Sequence, residues 1–282
     1  MEWIEKAPAK INLGLDVVAK RKDGFHELEM IMTSIDLSDT LTFTTNDTDQ
    51  ITITSNVPFL PTGKKNLVFQ AAELLKKQFN IKQGVHINID KVIPVAAGLA
   101  GGSSDCAATL RGLNNLWQLK LDFKSLAKLG EQLGSDVPYC VYSQTAYVTG
   151  RGENIQLLPK FQGFWVVLVK PQMSVSTPSI FNQVNLATIQ HPDISAIKLA
   201  IETNNYQEVP NLIGNSLEAI TISQYPIIEK IKSKLSCYGA DGVLMSGSGP
   251  TVFALCRQES RARRVFNSIN GFCEEVYLVR TL

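Results

Sequence analysis

The stretch PVAAGLAGGSSDCAATL, residues 94–110, changes character halfway along its length. Alanine and glycine dominate its first half, so another molecule can approach the backbone closely there, and its second half is typical of a helix. The first N–H groups of a helix lack partners within it, and the aligned peptide dipoles place about half a positive charge at that end. Because VHINID, residues 85–90, predicts a strand just upstream, the order favours a strand, a phosphate-binding loop and a helix.

Two serines follow the glycines of this loop. Ser103 and Ser104 are expected to cap the helix and to offer hydroxyls to a phosphate group or to its magnesium ion. The sequence matches neither G-x-x-x-x-G-K-[ST] nor G-x-G-x-x-G, and a tight turn with small residues for packing is the alternative interpretation. A second glycine-rich stretch, MSGSGPTVFAL at 245–255, predicts a hairpin with glycine at positive φ, or a turn that closes over the same ligand.

The composition indicates a folded protein of two domains. The chain has 282 residues, 44% of them hydrophobic and 19% charged, which is enough to bury a sizeable core. The formal net charge of +1 gives no electrostatic footprint for nucleic acid or an anionic membrane, so neither is an expected partner. The five cysteines form no C-x-x-C, which argues against a disulfide framework or zinc site and favours the cytoplasm. No secretory signal and no apolar run of spanning length is recognised.

Periodicity predicts an α+β fold. Alternating patterns predict strands at residues 11–18, 41–46, 51–55 and 85–90, and a stripe of 3.6-residue period predicts a helix from about Asn66. Two more helices are expected at about 104–117 and 123–133, followed by a strand within 141–150. After a boundary between residues 160 and 161, strands and helices alternate, which predicts an α+β sandwich with helices on one face of an antiparallel sheet.

Three stretches together resemble the three ordered motifs of the GHMP kinases, the family of galactokinase, homoserine kinase and mevalonate kinase: PAKINL at 8–13, PVAAGLAGGSSDCAA at 94–108 and SGSGPTVFAL at 246–255. The resemblance covers essentially the whole chain. It implies a two-domain fold, with a ribosomal-protein-like N-terminal GHMP kinase domain over 1–160 and a ferredoxin-like C-terminal domain over 161–282. It also implies an active site in the cleft between these domains.

Within this family, residues 8–41, 134–153 and 175–181 resemble the branch that phosphorylates a cytidine-diphosphate-linked methylerythritol in the non-mevalonate isoprenoid route. That resemblance implies transfer of a phosphoryl group from ATP, with Mg²⁺, to the 2-hydroxyl of this acceptor. The protein is expected to be a monomer or homodimer.

The resemblance also implies roles for individual residues. Asp136 matches the catalytic base, and Lys10 matches the lysine that is its partner. Without the resemblance, Asp136 would be interpreted as a turn-capping residue and Lys10 as a solvated strand residue. Asn66 and Lys91 are expected near the adenosine, and Asn66 is equally interpretable as a helix cap. The expected triphosphate cradle is Pro94, Val95, Ala96, Ala97, Gly98, Leu99, Ala100, Gly101, Gly102, Ser103 and Ser104.

For the acceptor, Phe25, His26 and Phe181 match positions that hold the cytosine, with phenylalanine at 25 where tyrosine is often found. The remaining acceptor positions are Asn12, Thr177, Gly247, Ser248 and Gly249. Core packing is the alternative for the two phenylalanines and a surface turn for His26, whereas His86 and His191 are interpreted as structural. Ala97 and Ala100 stand where many relatives carry glycine, which would strain the loop if either needed positive φ.

Three other functions stay open at this point. The first is the same kinase chemistry on mevalonate or homoserine. The second is an amidase with a serine nucleophile and a lysine base, which the aspartate after Ser104 disfavours because the amidase pattern continues with glycine. The third is an RNA-binding module, which the nearly neutral charge disfavours.

Overall fold

The computed structural model describes residues 1–282, which divide into two compact units built from interleaved segments. The first unit comprises Met1–Ala9, Leu37–Val95 and Ala100–Ser143, and the second comprises Lys10–Asp36, Ala96–Leu99 and Gln144–Leu282. Two long strands, β1 (Glu2–Lys20) and β2 (His26–Asn46), contribute residues to both units. The expected boundary between residues 160 and 161 stays a prediction.

The first unit packs helices against part of a sheet. Its further elements are β3 (Ile51–Ser55), α1 (Leu67–Phe79), β4 (Gly84–Asp90), α2 (Gly101–Leu116), α3 (Phe123–Gly130) and α4 (Val137–Tyr142). Strand β4 pairs in parallel with β3 and antiparallel with the end of β2, where Phe43 lies opposite Ile87. Helix α2 lies close to this sheet because Gly112 has no side chain, and a Cβ there would lie 2.5 Å from the Phe43 ring.

The further elements of the second unit are β5 (Ala146–Gly150), β6 (Asn154–Leu157), β7 (Trp165–Lys170), α5 (Thr177–Phe181), α6 (Ile194–Glu202), α7 (Val209–Leu212), β8 (Gly214–Asn215), α8 (Glu218–Gln224), α9 (Ile227–Cys237), β9 (Gly242–Met245), β10 (Val252–Cys256), α10 (Glu259–Asn270) and β11 (Glu275–Arg280). The second unit contains a four-stranded antiparallel sheet of order β11-β7-β10-β9. Its helical core residues come from α9 and α10, with Ile228, Ile231 and Val265 fully buried against Val167 and Val252. Elsewhere in this unit β5 pairs with the start of β2 and with β6, and β8 pairs in parallel with β1.

The predicted α+β class is confirmed, and two local predictions need correction. Helix α2 begins at Gly101 rather than near residue 104, so neither Ser103 nor Ser104 caps it. Residues 141 and 142, predicted as strand, belong to α4, whose start is marked by Pro138 in the first turn. None of the helices combines the length and apolar character needed to cross a membrane.

Candidate active site

The glycine-rich segment after β4 has an unusual backbone. Ala96, Gly98 and Ala100 adopt positive φ angles of 54°, 74° and 56°, at alternating positions. Left-handed alanine costs about 1–2 kcal/mol, so this loop conformation is maintained at the expense of local strain. Of the two alanines that stand at expected glycine positions, Ala100 is in the strained conformation and Ala97 is not. Ala100 is the residue immediately before α2, and its side chain makes no capping hydrogen bond.

Gly98 lies at the centre of the loop, and a side chain there is excluded. A Cβ on Gly98 would lie 2.5 Å from the carbonyl oxygen of Ser246 and 2.9 Å from that of Gly249. The Gly98 carbonyl accepts hydrogen bonds from the Lys10 ammonium at 2.9 Å and from the Ser246 hydroxyl at 3.0 Å. The loop is therefore held against β1 and the turn between β9 and β10 by its own backbone.

Lys10 and Asn12 extend from the same face of β1, because alternate residues of a strand share a face. The Asn12 amide oxygen accepts a hydrogen bond of 2.7 Å from the Lys10 ammonium, and Asn12 is fully buried. Lys10 itself is 4% exposed. A Cβ on Gly247 would lie 3.5 Å from the Lys10 Nζ and 3.4 Å from the Gly98 carbonyl oxygen. The structure thus brings together Lys10, Asn12, Gly98 and Gly247. In this cluster the Asn12 amide orients the Lys10 ammonium.

The turn between β9 and β10 is the predicted hairpin with glycine at positive φ, at Gly247 and Gly249. Asn215, which sequence analysis did not select, donates hydrogen bonds from its amide to the Met245 and Gly247 carbonyls at 2.9 and 2.8 Å. The Ser248 hydroxyl lies 2.7 Å from that of Thr177. This turn is therefore held in place by a polar side chain, and it approaches both the loop and α5.

The first turn of α2 is where the anion-binding backbone is expected. Gly102 is exposed, and a Cβ there would meet no neighbouring atom within 4 Å. Ser103 is half-buried at the third helical position. Ser104 is fully buried, and its hydroxyl donates to the Pro8 carbonyl at 2.7 Å, so it ties the helix to β1 rather than facing a ligand. Helix α2 spans 16 residues, and its dipole makes this end positive.

A buried ion-pair cluster lies behind this turn. The Lys91 ammonium is 2.5 Å from an Asp39 oxygen and 2.8 Å from an Asp105 oxygen, and all three side chains are almost completely buried. Burial lowers the pKa of Lys91, but the carboxylates of Asp105 and Asp39 outweigh this effect and raise it. Burial raises the pKa of Asp105 well above its usual range, against the opposing effect of Lys91. Lys91 therefore pairs with two buried carboxyl groups, and its expected role near the adenosine stays a prediction.

Asn66 and Asp136 both precede helices. The Asn66 side chain accepts a hydrogen bond from the Val68 amide, which makes it the cap of α1, the alternative that the sequence left open. Asp136 is half-buried at the cap position of α4, but its carboxylate makes no capping hydrogen bond. Asp136 therefore occupies a cap position without capping the helix through its side chain, and its role as the catalytic base stays a prediction.

The aromatic residues expected at the cytosine lie near one another. The rings of His26 and Phe181 have centroids 5.3 Å apart and are tilted by 35°. Burial, assisted by nearby Lys20, lowers the pKa of His26, so its imidazole is neutral at pH 7. Phe25 is half exposed, and the Arg151 guanidinium lies 4.8 Å from its ring centroid. These rings offer stacking surfaces and one neutral imidazole, which suit a nucleobase.

The chain is similar to known proteins along its whole length. Residues 66–144 match the GHMP kinases N terminal domain, and residues 193–275 match the GHMP kinases C terminal domain. A protein of Enterococcus faecalis named 4-diphosphocytidyl-2-C-methyl-D-erythritol kinase is 55% identical over 282 residues, which is 100% of each chain. One of Bacillus velezensis with the same name is 53% identical over 100% of this chain and 98% of its own.

A solved structure also matches along the whole chain. The crystal structure of a 4-(cytidine 5'-diphospho)-2C-methyl-D-erythritol kinase superposes with a TM-score of 0.83 at 30% sequence identity, covering 100% of this chain and 99% of that one. Matches to both domain models and to full-length relatives leave no part of the chain outside the resemblance. The chain belongs to the GHMP kinase family.

Proposed function

We propose that this protein transfers the terminal phosphoryl group of ATP to the 2-hydroxyl of 4-diphosphocytidyl-2-C-methyl-D-erythritol, a step of isoprenoid precursor biosynthesis. The observation that carries the proposal is the cluster of Lys10, Gly98 and Gly247, in which the loop that leads into α2 is bonded directly to a buried ammonium. The full-length relatives at 53–55% identity, which are named for this activity, support the same acceptor.

The residues of this chain suit each task that phosphoryl transfer requires. Such reactions depend on positioning and charge neutralisation, with little covalent chemistry left to the protein. The backbone amides in the first turn of α2 would bind the triphosphate. The Lys10 ammonium, oriented by Asn12, would neutralise charge that develops on oxygen. The Asp136 carboxylate, which does not cap its helix, would accept the proton of the acceptor hydroxyl.

Magnesium suits this arrangement because it commonly takes most of its ligands from phosphates and water, and needs few from the protein. No group of three or more His, Cys, Asp or Glu side chains is arranged to hold a metal ion. The half-buried Ser103 hydroxyl at the start of α2 would be the protein ligand of a metal bound with ATP. When bound, the ion would offset the negative charge of the phosphates.

A cytidine-linked acceptor is favoured over mevalonate or homoserine by the His26 and Phe181 rings, since neither of those alcohols contains a base to stack. ADP release from the purified chain should be measured with ATP and each of the three acceptors in turn. We expect turnover with the cytidylyl acceptor to exceed turnover with the other two by orders of magnitude. Equal or greater turnover with mevalonate or homoserine would refute the proposed acceptor.

A further inference from the structure

The acceptor segment, defined here as residues 172–193 between β7 and α6, carries two of the residues expected to bind the acceptor, Thr177 and Phe181. Within it only Val175 and Ile180 are buried, so apolar packing anchors it at few points. In its first third, the Thr177 hydroxyl bonds that of Ser248. The position of this segment therefore depends largely on polar contacts.

A strong polar contact lies at the end of the acceptor segment. The His191 Nδ1 is 2.9 and 3.0 Å from the two carboxylate oxygens of Asp16, and the His191 Nε2 is 3.4 Å from the Leu186 carbonyl oxygen. Both ring nitrogens thus face acceptors, and only the doubly protonated imidazolium can donate to both. The hydrogen bond to Asp16, with a smaller contribution from the Leu186 carbonyl, raises the pKa of His191.

Asp16 connects this contact to the strand that carries Lys10. It follows Lys10 by six residues on β1 and therefore lies on the same face of the strand. The Asp16 side chain is only 12% exposed, whereas that of His191 is 45% exposed. A carboxylate so nearly buried needs a cationic partner, and His191 is the partner that it has.

The chain beyond His191 is fixed to the same strand. A Cβ on Gly14 would lie 2.8 Å from the terminal carbons of Ile194 and Ile197, so α6 packs directly on β1 at this glycine. The neighbouring carboxylate of Asp193 accepts from the Ala196 amide and serves α6. Asp16 is thus the one carboxylate that bonds the His191 ring, and the Leu186 carbonyl is its other acceptor.

We propose that His191 is a positioning residue for the acceptor, whose imidazolium holds the acceptor segment on β1 through Asp16 and keeps Phe181 beside His26. This inference rests on the proposed function, because its consequence is a change in acceptor binding. Since the pKa of His191 is raised, the contact is complete below the ordinary histidine pKa and is lost as pH rises through the higher value. The affinity for the acceptor should fall over the same pH range, whereas the affinity for ATP should not follow the titration of His191.

The test compares the KM values of acceptor and ATP in four proteins across pH. His191→Gln keeps one donor and loses the charge, and we expect the acceptor KM to rise about 3- to 10-fold at the pH where the wild type binds best, the effect of losing one charge-assisted hydrogen bond. The KM for ATP and kcat should change by less than about 2-fold. His191→Lys keeps the charge at every pH, and should restore the acceptor KM and remove its pH dependence. The matched control is His86→Gln, because the His86 imidazole is bonded to Thr52 and Thr54 in the first unit.

An NMR titration of the three histidines provides a readout that does not need turnover. The His191 ring should titrate above the ordinary histidine pKa of about 6.5, and Asp16→Asn should lower its pKa. An acceptor KM in His191→Gln equal to that of the wild type at all pH values would overturn the proposal, as would a wild-type His191 that titrates at or below the ordinary value. Failure of the wild type to use the cytidylyl acceptor would instead refute the proposed function.

Discussion

Gly98→Ala tests the loop most sharply, because the structure assigns two separate costs to one methyl group. Gly98 has a φ of 74°, a region in which alanine costs about 1–2 kcal/mol. The added Cβ would also lie 2.5 and 2.9 Å from two carbonyl oxygens of the 246–249 turn, and such overpacking costs about 1–3 kcal/mol. The combined cost of about 2–5 kcal/mol can be relieved only if the loop and the turn move apart.

That movement should affect the use of ATP as well as the stability of the fold. A displacement of about 1 Å in a positioning element can cost about 100-fold in rate, so we expect kcat/KM for ATP to fall by about that factor. The assay is steady-state ADP release with varied ATP and saturating acceptor, together with a thermal melt of each protein.

Gly163→Ala is the matched control, because Gly163 has a φ of 87° but a Cβ there would meet nothing within 4 Å. It should show the conformational cost alone, as a Tm lower by about 2–4 °C per kcal/mol, with ordinary ATP kinetics. If Gly98→Ala gave ATP kinetics within about 2-fold of the wild type and the same Tm as Gly163→Ala, the reasoning about the loop would be refuted.

Three further variants address the other parts of the site. Asp136→Asn should lower kcat by about 10²–10⁴-fold while the protein stays folded and binds ATP, which calorimetry with ATP would check; near-normal turnover would exclude Asp136 as the base. Phe181→Ala should weaken acceptor binding by about 1–3 kcal/mol and leave the ATP KM unchanged, and an equal loss for both ligands would indicate a folding role. Lys91→Met leaves the Asp39 and Asp105 carboxylates buried without their cation and should destabilise the protein by about 3–5 kcal/mol. Burial raises the pKa of Asp105, and the loss of Lys91 would raise it further. The destabilisation should therefore grow in melts as the pH rises through the range in which Asp105 ionises in the wild type, and a difference that stays constant through that range would contradict it.

Local sequence patterns were sufficient to predict most of the helices and strands. The stripe that begins at Asn66 predicted α1, and the same asparagine is its observed cap. The start of α2 was misplaced because glycine has a low helix propensity, which tertiary packing overrides at Gly101 and Gly102. The end of α4 was assigned to a strand because Val141 and Tyr142 are typical strand residues, although Pro138 was an available signal for a helix start.

The residues of the candidate site were predictable only where they belong to a sequence motif. The motifs selected Lys10, the loop and the hairpin, and the structure brings these together. The contacts among distant residues left no local pattern. Lys91 meets Asp39 across 52 positions of sequence, and His191 meets Asp16 across 175. Such pairs follow from how the strands are arranged in the sheets, which a single sequence does not display.

The central claim is that the bare backbone at the start of α2 binds the triphosphate of ATP. A crystal structure of the protein with a non-hydrolysable ATP analogue and the cytidylyl acceptor tests it most directly. The account predicts phosphate oxygens within hydrogen-bond distance of the Gly101 and Gly102 amides, with the acceptor 2-hydroxyl bonded to the Asp136 carboxylate. A triphosphate bound away from these amides, or an acceptor hydroxyl remote from Asp136, would contradict it.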